Sequence, residues 1–149
     1  MLAPVRQTLD PPLDPDAYPF VQRVRVRFAE TDAMSVAHHG SYLPWLEEAR
    51  VGYLRASGHP YTEVRAGGHD IAVVECHVKY RAPARFEDEL AVNCLVAPPT
   101  RATFEIAYLV RRGEETIATA VTVHAFLEWA TGRPVRPPDW VRDIATPLP

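Results

Sequence analysis

Only one stretch of this 149-residue chain carries helical spacing over several turns, and it comes early. In "YLPWLEEARVGYLRASG", Tyr42, Trp45, Leu46, Ala49 and Tyr53 recur at three- and four-residue steps, so they share one apolar stripe. Pro44 is tolerated in the first turn, where no intrahelical donor is lost. Ser41 or Gly40 stands ahead as N-cap, and Gly58 followed by Pro60 ends the run. The spacing predicts a helix over 42–57. An alternating segment, "FVQRVRVRF", precedes it, with Val24, Val26 and Phe28 on one face and Arg23, Arg25 and Arg27 on the other, as in a half-buried strand. A short helical turn in "YTEVRAGG" follows. Everything after that is strand-like: "HDIAVVECHVKY", "ELAVNCLVA", "RATFEIAYLVRR" and "ETIATAVTVHAFLEW" are long and rich in β-branched or aromatic residues. The material between them, "RAPARFED", "PPT" and "GEE", is short and predicts antiparallel neighbours.

One strand, one long helix and four strands, in that order, argue against a doubly wound βαβ arrangement. An antiparallel sheet must bury one face, and the helix is the only large apolar object available to it. The expected architecture is α+β, a five-stranded antiparallel sheet wrapped around one long central helix. One helix covers five long strands incompletely, so self-association is expected to bury the remainder. Prolines crowd both ends: Pro4, Pro11, Pro12, Pro15 and Pro19, then Pro134, Pro137, Pro138, Pro147 and Pro149. Residues 1–19 therefore read as an extended N-terminal arm and 130–149 as a C-terminal extension, around a domain over 20–129.

Composition narrows the function. A hydrophobic share of 47% excludes a disordered charged tail, and a net charge of −3 provides no field for nucleic acid. No run approaches the ~20 apolar residues that span a bilayer. Cys76 and Cys94 sit in apolar strand-like segments without CxxC spacing and read as buried thiols in a reducing compartment. A cytoplasmic protein, bound to neither membrane nor nucleic acid, is the expectation.

The chemistry concentrates in "AETDAMSVAHHGSY", between the first strand and the helix. Asp32 is either a turn aspartate bonded to its own backbone or a carboxylate poised before a helix N-terminus. Exposed donors at such an end stabilise developing negative charge, which suits hydrolysis of an activated acyl compound. Adjacent His38 and His39 project about 100° apart and chelate one ion poorly, so no metal is expected. A Ser–His–Asp triad from Ser41 or Ser35 lacks a GxSxG elbow. Glu75 and His77 alternate with Val74, Cys76 and Val78, and with Lys79 form either a solvated strand face or the wall of a cleft between subunits.

Two of these segments together resemble the 4-hydroxybenzoyl-CoA thioesterase-like branch of the hot dog superfamily, which includes acyl-CoA thioesterases. "ETDAMSVAHHGSYLPWLEEAR" is similar to the family's pattern of aspartate, glycine three later, histidine or tyrosine, then asparagine–tyrosine opening the helix. "VVECHVKYRAPARFEDEL" resembles its strand followed by a Pro–Ala turn and an aspartate, here Pro83, Ala84 and Asp88. The similarity runs from about Arg23 to Trp140. It implies hydrolysis of an acyl-CoA to a carboxylic acid and coenzyme A, with no cofactor. By this resemblance Asp32 is the catalytic nucleophile or general base, and the backbone N–H of His39 polarises the thioester carbonyl. Tyr42 shapes the pocket, while Ile71, Val73 and Glu75 fall in the strand that faces substrate. The resemblance also implies a homodimer or homotetramer with the active site at the dimer interface. Ser35 stands where the family usually has glycine and Ser41 where it has asparagine. If the first position needs φ > 0, serine there costs on the order of 1 kcal/mol. Arg81, Arg85, Arg133 and Arg136 are candidates for the phosphates of coenzyme A. The same fold also serves non-catalytic acyl-CoA binding and hydration or dehydration of enoyl thioesters, and these stay as alternatives.

Overall fold

The computed structural model describes residues 6–147; residues 1–5 and 148–149 of the two proline-rich ends lie outside the described residues. Strand β1 (Phe20–Arg25) precedes the long helix α1 (Tyr42–Ala56) and a short helix α2 (Tyr61–Ala66). Four long strands follow, β2 (His69–Tyr80), β3 (Glu89–Val96), β4 (Phe104–Arg112) and β5 (Glu115–Glu128), then β6 (Pro134–Val135) and α3 (Asp139–Asp143). All pairings are antiparallel, in the order β1-β3-β4-β5-β2, with β6 added to the end of β5. This is the expected sheet around one long helix, with a two-residue sixth strand.

Helix α1 buries Tyr42, Trp45, Leu46, Ala49, Tyr53 and Leu54 against Val92, Cys94, Ile106, Tyr108 and Phe126 on the concave side of the sheet. Fully burying one such side chain stabilises the fold by about 1.5–3 kcal/mol, so this seam holds the domain together. Gly52 lets α1 approach β1: a Cβ there would meet Gln22 Oε1 at 2.8 Å and the Phe20 ring at 3.1 Å, while Phe20 stacks on Tyr53 at 5.6 Å. The convex face is covered as well. Leu9 and Tyr18 from the N-terminal arm pack on Leu95, Ala107, Leu109 and Val121, and Thr8 donates to the Glu105 carboxylate from both its amide and its hydroxyl. The C-terminal segment fills the open end of the concave face: Val141 is buried, Trp140 stacks on His59, and Tyr53 donates to the Ile144 carbonyl. Residues beyond 129 therefore add a strand and a helical turn to the same core.

Three local features depart from the sequence reading. The first strand stops at Arg25, and Phe28 enters a 3-10 turn (Phe28–Glu30) where its side chain is 77% exposed, so alternation ends with Val26. Strands β2 and β3 are not neighbours; residues 81–88 carry the chain from one edge of the sheet to β3, which pairs with β1 and β4. Eight residues make a crossover here because Ala84 is buried and its carbonyl accepts from the Ala37 amide at 2.7 Å, which ties the link to the loop before α1. Finally, β2 contains a bulge between Val73 and Glu75, where Val74 has no counterpart on β5. A bulge inserts one unpaired residue and reverses the faces beyond it.

His124 on β5 is fully buried beneath α1, and burial together with the neighbouring Arg50 cation pushes its pKa down to about 3. Its imidazole is thus neutral in the folded chain at neutral pH, while the unfolded chain takes up a proton near pH 6.5. The unfolded state then binds the extra proton between those values, so stability is fully present above pH 6.5 and declines on acidification. Urea unfolding at pH 5 and pH 7 is expected to show a loss approaching 1.4 kcal/mol per pH unit below 6.5. The His124→Gln protein should be less stable at pH 7 and lack most of this slope.

Candidate active site

The loop between β1 and α1 is built around Glu30, a residue the sequence reading did not single out. Its buried carboxylate accepts from the Arg27 amide (2.8 Å), the Arg27 guanidinium (2.8 Å) and the Trp45 indole N–H (3.1 Å). Burial opposes its ionisation, but these hydrogen bonds outweigh burial and hold the carboxyl below its usual range. The Glu30 carbonyl accepts from the His38 amide at 2.8 Å and the Ser41 hydroxyl at 2.9 Å. One residue therefore pins both ends of the loop to the first turns of the helix. Its only sequence signal is the i,i+3 spacing from Arg27.

Within that frame, residues 32–35 form a turn. The Ser35 amide donates to the Asp32 carbonyl, the Asp32 amide donates to the Val36 carbonyl, and Asp32 Oδ1 accepts from the Met34 amide at 2.8 Å. The ordinary turn role of Asp32 is thus realised through one carboxylate oxygen, and that bond fixes where the other points. Ser35 has φ +62°, the left-handed conformation that favours glycine. The Arg85 guanidinium donates to the Ser35 carbonyl at 3.3 Å, bracing the turn from the crossover.

The helix begins through a 3-10 turn (His39–Ser41) capped by the imidazole of His38, whose Nδ1 accepts from the Gly40 amide at 3.0 Å. Ser41 is not the cap: its backbone is already helical, with φ −67° and ψ −21°, and its hydroxyl serves Glu30 instead. The His39 amide is the first N–H of the turn and has no intrahelical acceptor. Tyr80 from β2 donates to the His39 carbonyl at 2.9 Å and packs edge-on against Tyr42 at 4.9 Å. Burial raises the pKa of the Tyr42 phenol, with the nearby Tyr80 adding to the effect, so it stays protonated as a neutral wall.

Asp32, His39 and Tyr42 accordingly line one cavity of about 400 Å³, together with Tyr80, Arg81 and Pro83. The other three expected residues are not brought there. Val73 lines a second cavity, about 210 Å³, against Leu43 and Leu46 of α1. Ile71 is buried in the core opposite Phe126. Glu75 lies past the bulge on the convex face, paired with His77 at 3.1 Å, and its carboxylate accepts the Arg6 and Gln7 amides of the N-terminal arm. Strict alternation would have kept Glu75 beside Ile71 and Val73; the extra residue Val74 turns it away. Arg85 is engaged in the turn, and Arg81 stands at the mouth of the first cavity. Among the described residues no group of three or more His, Cys, Asp or Glu side chains could hold a metal ion, and no helix is long and apolar enough to cross a membrane.

A carboxylate that lines the same cavity as the free His39 amide of a helix start can serve attack on an acyl carbon. The sequence profile of the thioesterase-like superfamily matches residues 26–144, nearly the whole of the sheet and helix just described. A putative esterase of Aquifex aeolicus is 34% identical over 110 residues, which is 74% of this chain and 86% of that protein. A 1,4-dihydroxy-2-naphthoyl-CoA hydrolase of Synechococcus sp. (strain CC9902) is 28% identical over 123 residues, 78% of this chain and 83% of the relative. The crystal structure of a DHNA-CoA thioesterase from Staphylococcus aureus superposes with a TM-score of 0.74 at 26% identity, covering 78% of each chain. The chain belongs to the thioesterase-like superfamily, and its fold is the hot dog fold of the acyl-CoA thioesterases.

Since Ser35 holds a left-handed backbone, glycine there relieves strain at some cost in unfolded-state entropy. Ser35→Gly is expected to raise the unfolding free energy by about 0.5–1 kcal/mol. Chemical denaturation of the two proteins measures it, and an equal or lower stability would show that the serine is accommodated without strain.

Proposed function

We propose that the chain hydrolyses an acyl-CoA thioester, releasing a carboxylic acid and coenzyme A. The observation that carries this reading is the cavity shared by Asp32, the His39 helix start and Tyr42, in a member of a thioesterase family. The thioester carbonyl sits at the His39 amide, where the helix end stabilises the oxyanion. Asp32, oriented by the Met34 amide, attacks the carbonyl carbon to form an anhydride or removes a proton from the attacking water. In either course water supplies the oxygen of the acid and the thiolate leaves as coenzyme A. Relatives acting on 1,4-dihydroxy-2-naphthoyl-CoA support an acyl-CoA substrate as the class. Arg81 is the guanidinium best placed to meet the coenzyme's phosphates at the cavity mouth.

The working unit in this reading is a homodimer. Strand β2 ends the sheet, twelve residues long, with Val73 50% and Val74 39% exposed. A long apolar edge of this kind is a template for another strand, and an antiparallel pair of β2 strands is self-complementary about a two-fold axis. Both cavities border β2, so the partner's edge completes them.

Asp32→Asn is expected to fold as the parent does and to lose at least a hundredfold in thiol release with an acyl-CoA panel, a loss typical of a missing acid–base group. Unchanged turnover would remove Asp32 from the chemistry. Val74→Asp, which places a charge on the edge, should shift the chain from dimer to monomer in sedimentation and lower turnover with it. Full activity in a monomer would separate the site from the interface.

A further inference from the structure

The cavity beneath Val73 is mostly apolar, yet it contains a cation. Leu43, Leu46, Val73 and Cys76 form its walls, while Glu47, Arg50, Tyr108 and Thr122 are its polar members. Arg50 is only 7% exposed. Among the described residues its guanidinium has no buried carboxylate beside it. One NH group donates to His124 Nδ1 at 3.3 Å, and another lies 3.7 Å from Glu47, whose side chain is 70% exposed. The buried Arg50 Nε finds no hydrogen-bond partner at all among the described residues. Arginine is a donor only, so its bond to His124 Nδ1 leaves Nε2–H to donate to the Thr122 hydroxyl at 2.7 Å; that hydroxyl lies 3.1 Å from the Tyr108 oxygen. The polar end of the cavity thus presents an undercompensated positive charge and a short hydroxyl chain. A buried charge whose counter-ion is a solvent-exposed carboxylate at 3.7 Å is poorly compensated, and a ligand anion would relieve that cost.

The two cavities follow one seam, α1 against β2, with Tyr42 and Tyr80 at the Asp32 end and Arg50 and Val73 further along. Tyr42 and Arg50 are separated by roughly 12 Å of helix rise. Side chains lean toward the helix N-terminus, so the guanidinium head lies closer to the Asp32 end than its Cα does. An extended eight-carbon chain spans roughly 9 Å, which fits that rise once the lean of the Arg50 side chain is subtracted.

We propose that the Arg50 cavity is a subsite for the far end of the acyl group and selects acyl chains that terminate in a carboxylate. The subsite rests on the hydrolase reading above for the position of the thioester, and it deepens that reading by naming the substrate class as monothioesters of dicarboxylic acids. Leu43 and Leu46 pack the methylene chain; the guanidinium of Arg50 takes the distal carboxylate, assisted by the Tyr108 and Thr122 hydroxyls.

The test compares suberoyl-CoA with octanoyl-CoA, which have the same chain length and differ in the terminal group. The parent protein is expected to favour suberoyl-CoA in kcat/KM by tenfold or more, and in Arg50→Gln that ratio should fall by at least tenfold. Binding of the same two chains as non-hydrolysable CoA thioethers is read by calorimetry on the parent protein, independently of turnover and of any variant. If neither ester is hydrolysed but the carboxylate-ended thioether binds more tightly, the subsite stands and the hydrolase reading falls. Hydrolysis of both with octanoyl-CoA equal or preferred overturns the subsite and leaves the hydrolase intact. A ratio unaltered by Arg50→Gln, accompanied by dissociation of the dimer, assigns the guanidinium to the subunit interface and likewise overturns the proposal.

Discussion

The rest of the structure depends on the burial of one helix by one sheet. With a single long helix to cover its concave face, the sheet must curl, and strands of eight to fourteen residues are long enough to do so. The helix cannot reach everywhere. The C-terminal segment with Trp140 and Val141 closes one end, and the arm with Leu9 and Tyr18 covers the opposite face. What stays open is the edge at β2 and the seam between that strand and α1. The Asp32 and Arg50 cavities lie along this boundary, which the described parts of the arm and the C-terminal segment leave uncovered.

The loop ahead of that helix is held mainly by polar bonds. Glu30 joins Arg27, Trp45, His38 and Ser41 in one hydrogen-bonded knot, and the crossover after β2 adds the bond between Ala84 and Ala37. The consequence is placement: with both ends of the loop tied to the same turn, Asp32 and His39 line one cavity. The left-handed Ser35 shows that the turn geometry is retained even with a residue poorly suited to it.

The bulge in β2 divides the roles of that strand. On one side of Val74, Ile71 and Val73 face α1; on the other, Cys76 and Val78 do so, and Glu75 is directed to the arm. The same extra residue therefore gives the N-terminal arm a carboxylate to anchor on and keeps that carboxylate out of the seam. Arg50 itself sits on the helix stripe where the sequence suggests nothing beyond an i,i+3 pair with Glu47.

Periodicity by itself determined the element order, the long helix from Tyr42 and the four strands after it, since helix and strand periods are local consequences of which face must be apolar. Motif resemblance brought Asp32, His39 and Tyr42 together, because these residues are close in sequence and share one loop and helix start. Tertiary structure alone decided what depends on distant partners. The pairing of β2 with β5 rather than β3 is set by how the crossover docks beneath Ala37, and the face of Glu75 by a bulge that β5 imposes. The cap at His38 follows from Glu30 claiming the Ser41 hydroxyl, and the buried guanidinium of Arg50 finds its acceptor in a histidine 74 residues away. Local sequence carries a residue's propensity; its hydrogen-bond partners and its face are properties of the packed chain.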